Sequence, residues 1–147
     1  MRNNPYVGPR PYERSDRKNF YGRNREARDL LALILAERVV LFYAPSGAGK
    51  TSLLNAEIIP SLEEEAFAVL PKARVGSDLP PDINNEEVDN IFTFSVLMMI
   101  SEAKVAPQAL CHHTLLSFLQ EFHSPQEEEG EALPIILILD QAEELFT

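Results

Sequence analysis

The stretch VVLFYAPSGAGKTSLL, residues 39–54, decides how the rest of the chain is read. Val39, Val40, Leu41, Phe42 and Tyr43 are β-branched, aliphatic or aromatic, the composition of a strand buried on both faces. Residues 44–49 cannot continue that strand: Pro45 lacks an amide donor, and Gly47 and Gly49 tolerate backbone angles that other residues avoid. The loop is thereby free to turn several N–H groups inward, at the positive end of the following helix, where they cradle phosphate. Lys50 reaches the β- and γ-phosphates and the Thr51 hydroxyl binds Mg²⁺. This is the spacing of the P-loop, G-x-x-x-x-G-K-[ST], with Ala44 in place of the first glycine. The nucleotide-contacting set is Ser46, Gly47, Ala48, Gly49, Lys50, Thr51 and Ser52.

Upstream, Leu30, Leu31, Leu33, Ile34 and Leu35 predict a helix over 24–37 with a wide apolar face and Asn24 as its cap. Arg38–Tyr43 is then the first strand. Residues 1–19, with Pro5, Gly8, Pro9 and Pro11, predict an extended, non-helical arm anchored by Tyr6, Val7 and Tyr12. Downstream, the P-loop helix covers 50–59, and Pro60 ends it or starts a short second helix at 61–65. Residues 66–75 read as a strand interrupted by Pro71, which implies an edge position or a bulge. A loop follows at 76–85, then helical patterns at 87–104 and 108–122. In the first of these Met98 and Met99 fill core space, although its apolar residues run nearly all round, so part of it could be extended. A polar connector follows at 123–131. Strands alternating with helices predict an α/β fold with a parallel sheet and right-handed crossovers.

A phosphate loop needs a carboxylate on a nearby strand to hold Mg²⁺. The apolar run LPIILIL at 133–139 ends on Asp140, and ligands in open α/β sheets gather at that end of the strands. Thr51 and Asp140 are therefore the expected metal ligands. Hydrolysis also needs a group to orient or deprotonate water. Gln141 occupies the slot after Asp140; its amide can position water but cannot take a proton, whereas Glu143 and Glu144 close behind can supply a base. Acidic residues at a helix N-terminus have a structural use as well.

The 147 residues suit one domain and carry a net charge of −10 that is unevenly spread. Residues 1–38 hold nine basic against five acidic side chains, and the remainder four against eighteen. The acidic body argues against non-specific nucleic-acid binding, and the basic arm has two targets, an anionic nucleotide or the acidic body. The single cysteine, Cys111, excludes an internal disulfide and suits a reducing compartment, and no apolar run is long enough for a membrane span, so a cytoplasmic protein is expected. Cys111-His112-His113 lacks further ligands at metal-binding spacing and reads as helix surface or core.

Four segments together resemble the bacterial novel STAND NTPases, P-loop signal-transduction ATPases: PYVGPRPYERSD (5–16) with NFYGRNRE (19–26), APSGAGKTSLLNAEIIPSL (44–62), ARVGSDLPPDINN (73–85) and ILILDQAEELFT (136–147). The family pattern at the last is similar to DQFEELF, which favours Glu143 or Glu144 as the water-activating acid; Ala142 stands where Phe is usual. The resemblance implies an α/β P-loop NTPase parallel sheet with flanking helices, ATP and Mg²⁺ as cofactors, slow hydrolysis, and self-association of the full-length form as an ATP-driven switch. It also puts Gly22 and Arg23 near the adenine. Proteins of this kind continue beyond the Asp140 strand with at least two more strands. Residues 1–19 are thus expected to be a basic arm and 20–147 the first part of an NTPase domain whose sheet is incomplete at the C-terminus. The alternative is a non-enzymatic module that docks on a partner through that unfinished sheet and the arm.

Overall fold

The computed structural model describes residues 8–76, 78–122 and 133–142. The chain divides into two compact units, Met1–Phe67 and Ala68–Thr147.

The first unit is helical. Residues 8–13 are non-helical, but the predicted extended arm ends differently: Arg14–Asn19 form a 3₁₀ turn, closed by a capping box between Glu13 and Asp16. Tyr12 packs edge-on against Phe20 with ring centroids 5.2 Å apart, the anchor expected of it, while Tyr6 and Val7 lie outside the described residues. Helix α1 spans Asn24–Ala36, within a residue of its predicted end, but its cap is Arg23, one residue before the predicted Asn24. Its buried stripe is narrower than the run of leucines implied. Ala27, Leu30, Leu31 and Ile34, at helical spacing, turn inward, whereas Leu33 and Leu35 are 53% and 46% exposed.

The predicted first strand at 38–43 joins no ladder among the described residues. Val39, Leu41 and Tyr43 are 89%, 82% and 83% exposed, alternating with half-buried Val40 and Phe42. The alternation is that of an extended chain, but a run of apolar residues becomes a strand only when a neighbour takes up its N–H and C=O groups.

After the loop, α2 (Lys50–Leu53) passes into a π-helical turn at Leu54–Ile58 and then α3 (Ile59–Glu64). Pro60 thus does not end the helix. It has no N–H to give to residue 56, and the turn before it widens so that Ile59 N–H bonds Leu54 O, five residues back. Leu30, Leu53, Ala56, Ile58 and Leu62 form the buried apolar centre of this unit.

The second unit holds the sheets. The strand predicted at 66–75 is split into β1 (Ala68–Val69) and β2 (Ala73–Arg74), and the apolar run before Asp140 into β3 (Ile135–Ile136) and β4 (Leu139–Asp140). β1 pairs with β3 and β2 with β4, both parallel, as alternating strands and helices predict. The register contains a bulge. Val69 faces Ile136 and Ala73 faces Leu139, so four steps on one strand match three on the other. The donors to either side are Leu70 N to Ile136 O (3.0 Å) and Ala73 N to Ile138 O (3.0 Å), which places the extra residue beside Pro71. Proline has no N–H for the ladder, so the strand steps round it, one of the two outcomes its position implied.

Helix α4 (Ile91–Ile100) begins later than the 87–104 pattern. Residues 85–87 form a separate 3₁₀ turn, and Asn90 caps the helix by accepting the Thr93 N–H at 2.9 Å. Glu102 and Ala103, at φ +50° and +59°, end it. From Ile91 to Ile100 the apolar run is helical, with Ile91 and Phe92 exposed at its start. Phe94, Val96, Leu97 and Ile100 join Leu70, Ala73, Val75, Ile83, Leu110 and Phe118 in one core, with Met98 and Met99 packed against it as core fillers. The single helix predicted over 108–122 is two, α5 (Pro107–Leu110) and α6 (Leu115–Phe122). Thr114 and Ser117 exchange backbone-to-hydroxyl bonds, each 3.0 Å, which starts α6 afresh instead of continuing α5. Among the described residues no helix is long and apolar enough to cross a membrane.

Candidate functional site

The loop between residue 43 and α2 is built from two demands on the backbone. Ala48 N–H bonds Pro45 O at 3.2 Å, closing a turn whose third residue, Gly47, has φ +78°. That sign at that position is what a type II turn requires, and glycine supplies it without strain. Gly49 has φ +77° and caps α2, with Leu53 N–H bonding its carbonyl at 3.0 Å. No atom lies within 4 Å of where a Cβ on Gly47 would sit, so the loop is open at its tip. Ser46, Gly47 and Ala48 are exposed, and Gly49, Lys50, Thr51 and Ser52 half-buried.

Two cations of the unit hold carbonyls of this loop. Lys50 Nζ donates to Ala44 O at 2.7 Å and to Pro45 O at 3.4 Å. Arg23 Nη1 donates to Ala48 O at 2.7 Å, and its Nε lies 3.5 Å from Glu26 Oε1. Gly22, at φ +88°, makes the turn that delivers Arg23 to the start of α1. Among the sequence-predicted positions, Gly22, Arg23 and 46–52 therefore come together in one unit. The Ser52 hydroxyl accepts the Tyr12 N–H at 3.1 Å, which ties the arm to the residue after Thr51.

The arm's own cations take the acidic option. Arg14 pairs with Glu63, and Arg17 with Glu64 and, at 3.5 Å, with Glu57, all on the helix that follows the loop. Bonding to Glu64 raises the Arg17 guanidinium, and the same bond lowers the Glu64 carboxyl below its usual range. Asn55 Nδ2 donates to Glu13 Oε2 at 3.1 Å. These partners were not singled out from sequence. The available signal was the excess of arginine in the arm beside the acids at 57, 63 and 64.

Asp140 stands at the end of β4 in the second unit, half-buried, its Oδ1 accepting the Gln141 N–H at 3.0 Å. Gln141 has φ +57°, a left-handed angle that turns the chain sharply after the carboxylate. Glu143 and Glu144 lie outside the described residues. His112 Nδ1 is 3.1 Å from Asp89 Oδ1, and His113 is engaged with Ser117 and Glu121.

Within the first unit, a Gly-rich loop whose carbonyls are held by Lys50 and Arg23 leads into a helix start with a hydroxyl at Thr51, a set of groups whose chemistry suits a phosphate. The second unit ends a parallel strand on the Asp140 carboxylate, whose chemistry suits a divalent metal. Comparison with known protein families agrees in class. The model of the family Novel STAND NTPase 1 matches residues 5–147. The chain belongs to this family of STAND NTPase domains. No curated protein and no solved structure gives a significant match to it.

Proposed function

We propose that this chain binds ATP with Mg²⁺ and serves as the nucleotide-handling part of a slow ATPase switch of the STAND class, on a P-loop NTPase fold. The observation that carries the reading is the phosphate loop, with glycine at both left-handed positions (φ +78° and +77°) in a chain matched by the family from residue 5 to 147.

The amides from Ser46 to Ser52 and the Lys50 ammonium would hold the phosphates; for this Lys50 exchanges the Ala44 and Pro45 carbonyls for phosphate oxygens. Thr51 and Asp140 would hold Mg²⁺, whose bound charge offsets the negative charge that develops on the transferred phosphoryl group. Gln141 would orient the attacking water and Glu143 or Glu144 accept its proton. Gly22 would let the chain approach the nucleotide beside Arg23. Residues 1–19 act as the arm and 20–147 as the nucleotide-handling part of the domain. In the full-length form, nucleotide-dependent self-association would provide the switch.

Titration calorimetry of the 147-residue chain with Mg-ATP, read beside its melting temperature, tests this. Saturable binding that raises the melting temperature is expected, with Lys50→Ala weakening affinity by at least about tenfold, roughly 1.4 kcal/mol. An affinity unchanged by Lys50→Ala would overturn the reading.

A further inference from the structure

We propose that Arg23 is a positioning residue of the phosphate loop, acting on the Ala48–Gly49 peptide and not on a base. The proposal rests on the reading of residues 44–52 as a phosphate site and gives the Arg23 side chain a task of its own, beyond the position near the adenine that the family resemblance implies for Gly22 and Arg23.

Arg23 Nη1 donates to Ala48 O at 2.7 Å. A trans peptide unit is planar, with its C=O and the following N–H pointing in opposite directions. Anchoring the Ala48 carbonyl therefore also fixes where the Gly49 N–H points: away from Arg23. Gly49, like Gly47, runs left-handed, at φ +77°, and without an anchor a peptide next to glycine has a wide choice of orientation. The approach is close. A Cβ on Gly49 would lie 3.2 Å from Arg23 Nη1.

The anchor is itself held. Arg23 caps α1, its carbonyl taking the Ala27 N–H at 2.9 Å, and its Nε lies 3.5 Å from Glu26 Oε1. The side chain is 29% exposed, so its stem is partly covered. Arg23 thus takes a carbonyl of the loop, and the Gly49 amide faces the other way. A loop held in this manner is preorganised for an anion, which lowers the ordering cost of binding.

The test is independent of the base. Arg23→Ala, Arg23→Lys and Arg23→Gln are titrated with Mg-ATP, Mg-GTP and inorganic tripolyphosphate beside the wild-type chain and Lys50→Ala. The amide resonance and hydrogen exchange of Gly49 are followed without any ligand. Arg23→Ala is expected to weaken all three ligands by the same factor, about tenfold for loss of a charge-assisted hydrogen bond, and to shift the Gly49 amide. Arg23→Lys and Arg23→Gln, which each keep a donor, are expected to recover part of both effects. Melting temperatures identify any variant that fails to fold, and the two conservative variants then carry the comparison.

A loss confined to Mg-ATP, or an Arg23→Ala chain that binds all three ligands as the wild type does, would overturn the proposal while leaving the phosphate site standing. A wild-type chain that binds neither ATP nor tripolyphosphate would overturn the reading of the site and this proposal with it.

Discussion

Gly47 and Gly49 show how a single missing Cβ constrains a loop. A side chain at either would have to adopt φ near +78° at a cost of about 1–2 kcal/mol. Gly49→Ala would also press on the tip of Arg23, since its Cβ would lie 3.2 Å from Nη1. Both Gly47→Ala and Gly49→Ala are expected to weaken Mg-ATP, with the larger loss at Gly49, and calorimetry on the two variants checks the order. Cys111 illustrates the opposite case, a residue whose chemistry is suppressed by its surroundings. It is 5% exposed and burial raises its thiol pKa, so little thiolate forms near neutrality. An aromatic disulfide reagent at pH 8 should modify it slowly in the native chain and rapidly in urea. The sequence located the turns at Gly47 and Gly49 from residue type and spacing, because a left-handed backbone angle is a local property. It did not reveal that Arg23 meets Ala48, a contact across twenty-five positions.

At the scale of elements, start signals and partners decided the outcome. α1 was legible because its polar and apolar positions repeat at helical spacing. α4 was legible in kind but not in extent, because Asn90 competes with the residues before it as a cap. Asn90→Ala is expected to cost about 1 kcal/mol, with Asn90→Asp restoring most of it, measured by urea unfolding of each variant. The arm was legible as basic, yet its target was not. Arg17 reaches both Glu64 and Glu57, and this pairing should respond to acid. The Glu64 carboxyl is lowered in the folded chain, from an ordinary value of 4.5. Its contribution is therefore fully present above pH 4.5 and is lost as pH falls through the lowered folded value. Trypsin cleavage after Arg14 reports the state of the arm. Arg17→Ala should speed it several-fold at pH 8, and salt should act in the same direction by screening the exposed pair.

Across the whole molecule, charge and sheet pairing set the behaviour. A chain with net charge −10 and an isoelectric point near 4.7 repels itself at neutral pH, so solubility should pass through a minimum close to pH 4.7. A turbidity series from pH 3 to pH 8 checks this, and a minimum above pH 6 would contradict it. The order of the second unit came from pairing: β1 with β3 and β2 with β4, with one residue bulged beside Pro71. The sequence by itself determined the local demands: the left-handed turns at Gly47 and Gly49, the helical stripe of α1, the break at Pro71 and the family to which the chain belongs. These follow from backbone angles, missing donors and periodicity, which each residue carries wherever it sits. Only the tertiary structure decided which carboxylates take the arm's arginines, that Pro60 is passed by a widened turn, that residues 38–43 join no ladder among the described residues, and that Ala48 is held by Arg23. The carboxylates that take the arginines and the carbonyl that takes Arg23 are each a choice among chemically equivalent partners. Such a choice is made by distance in space, which residue type does not encode.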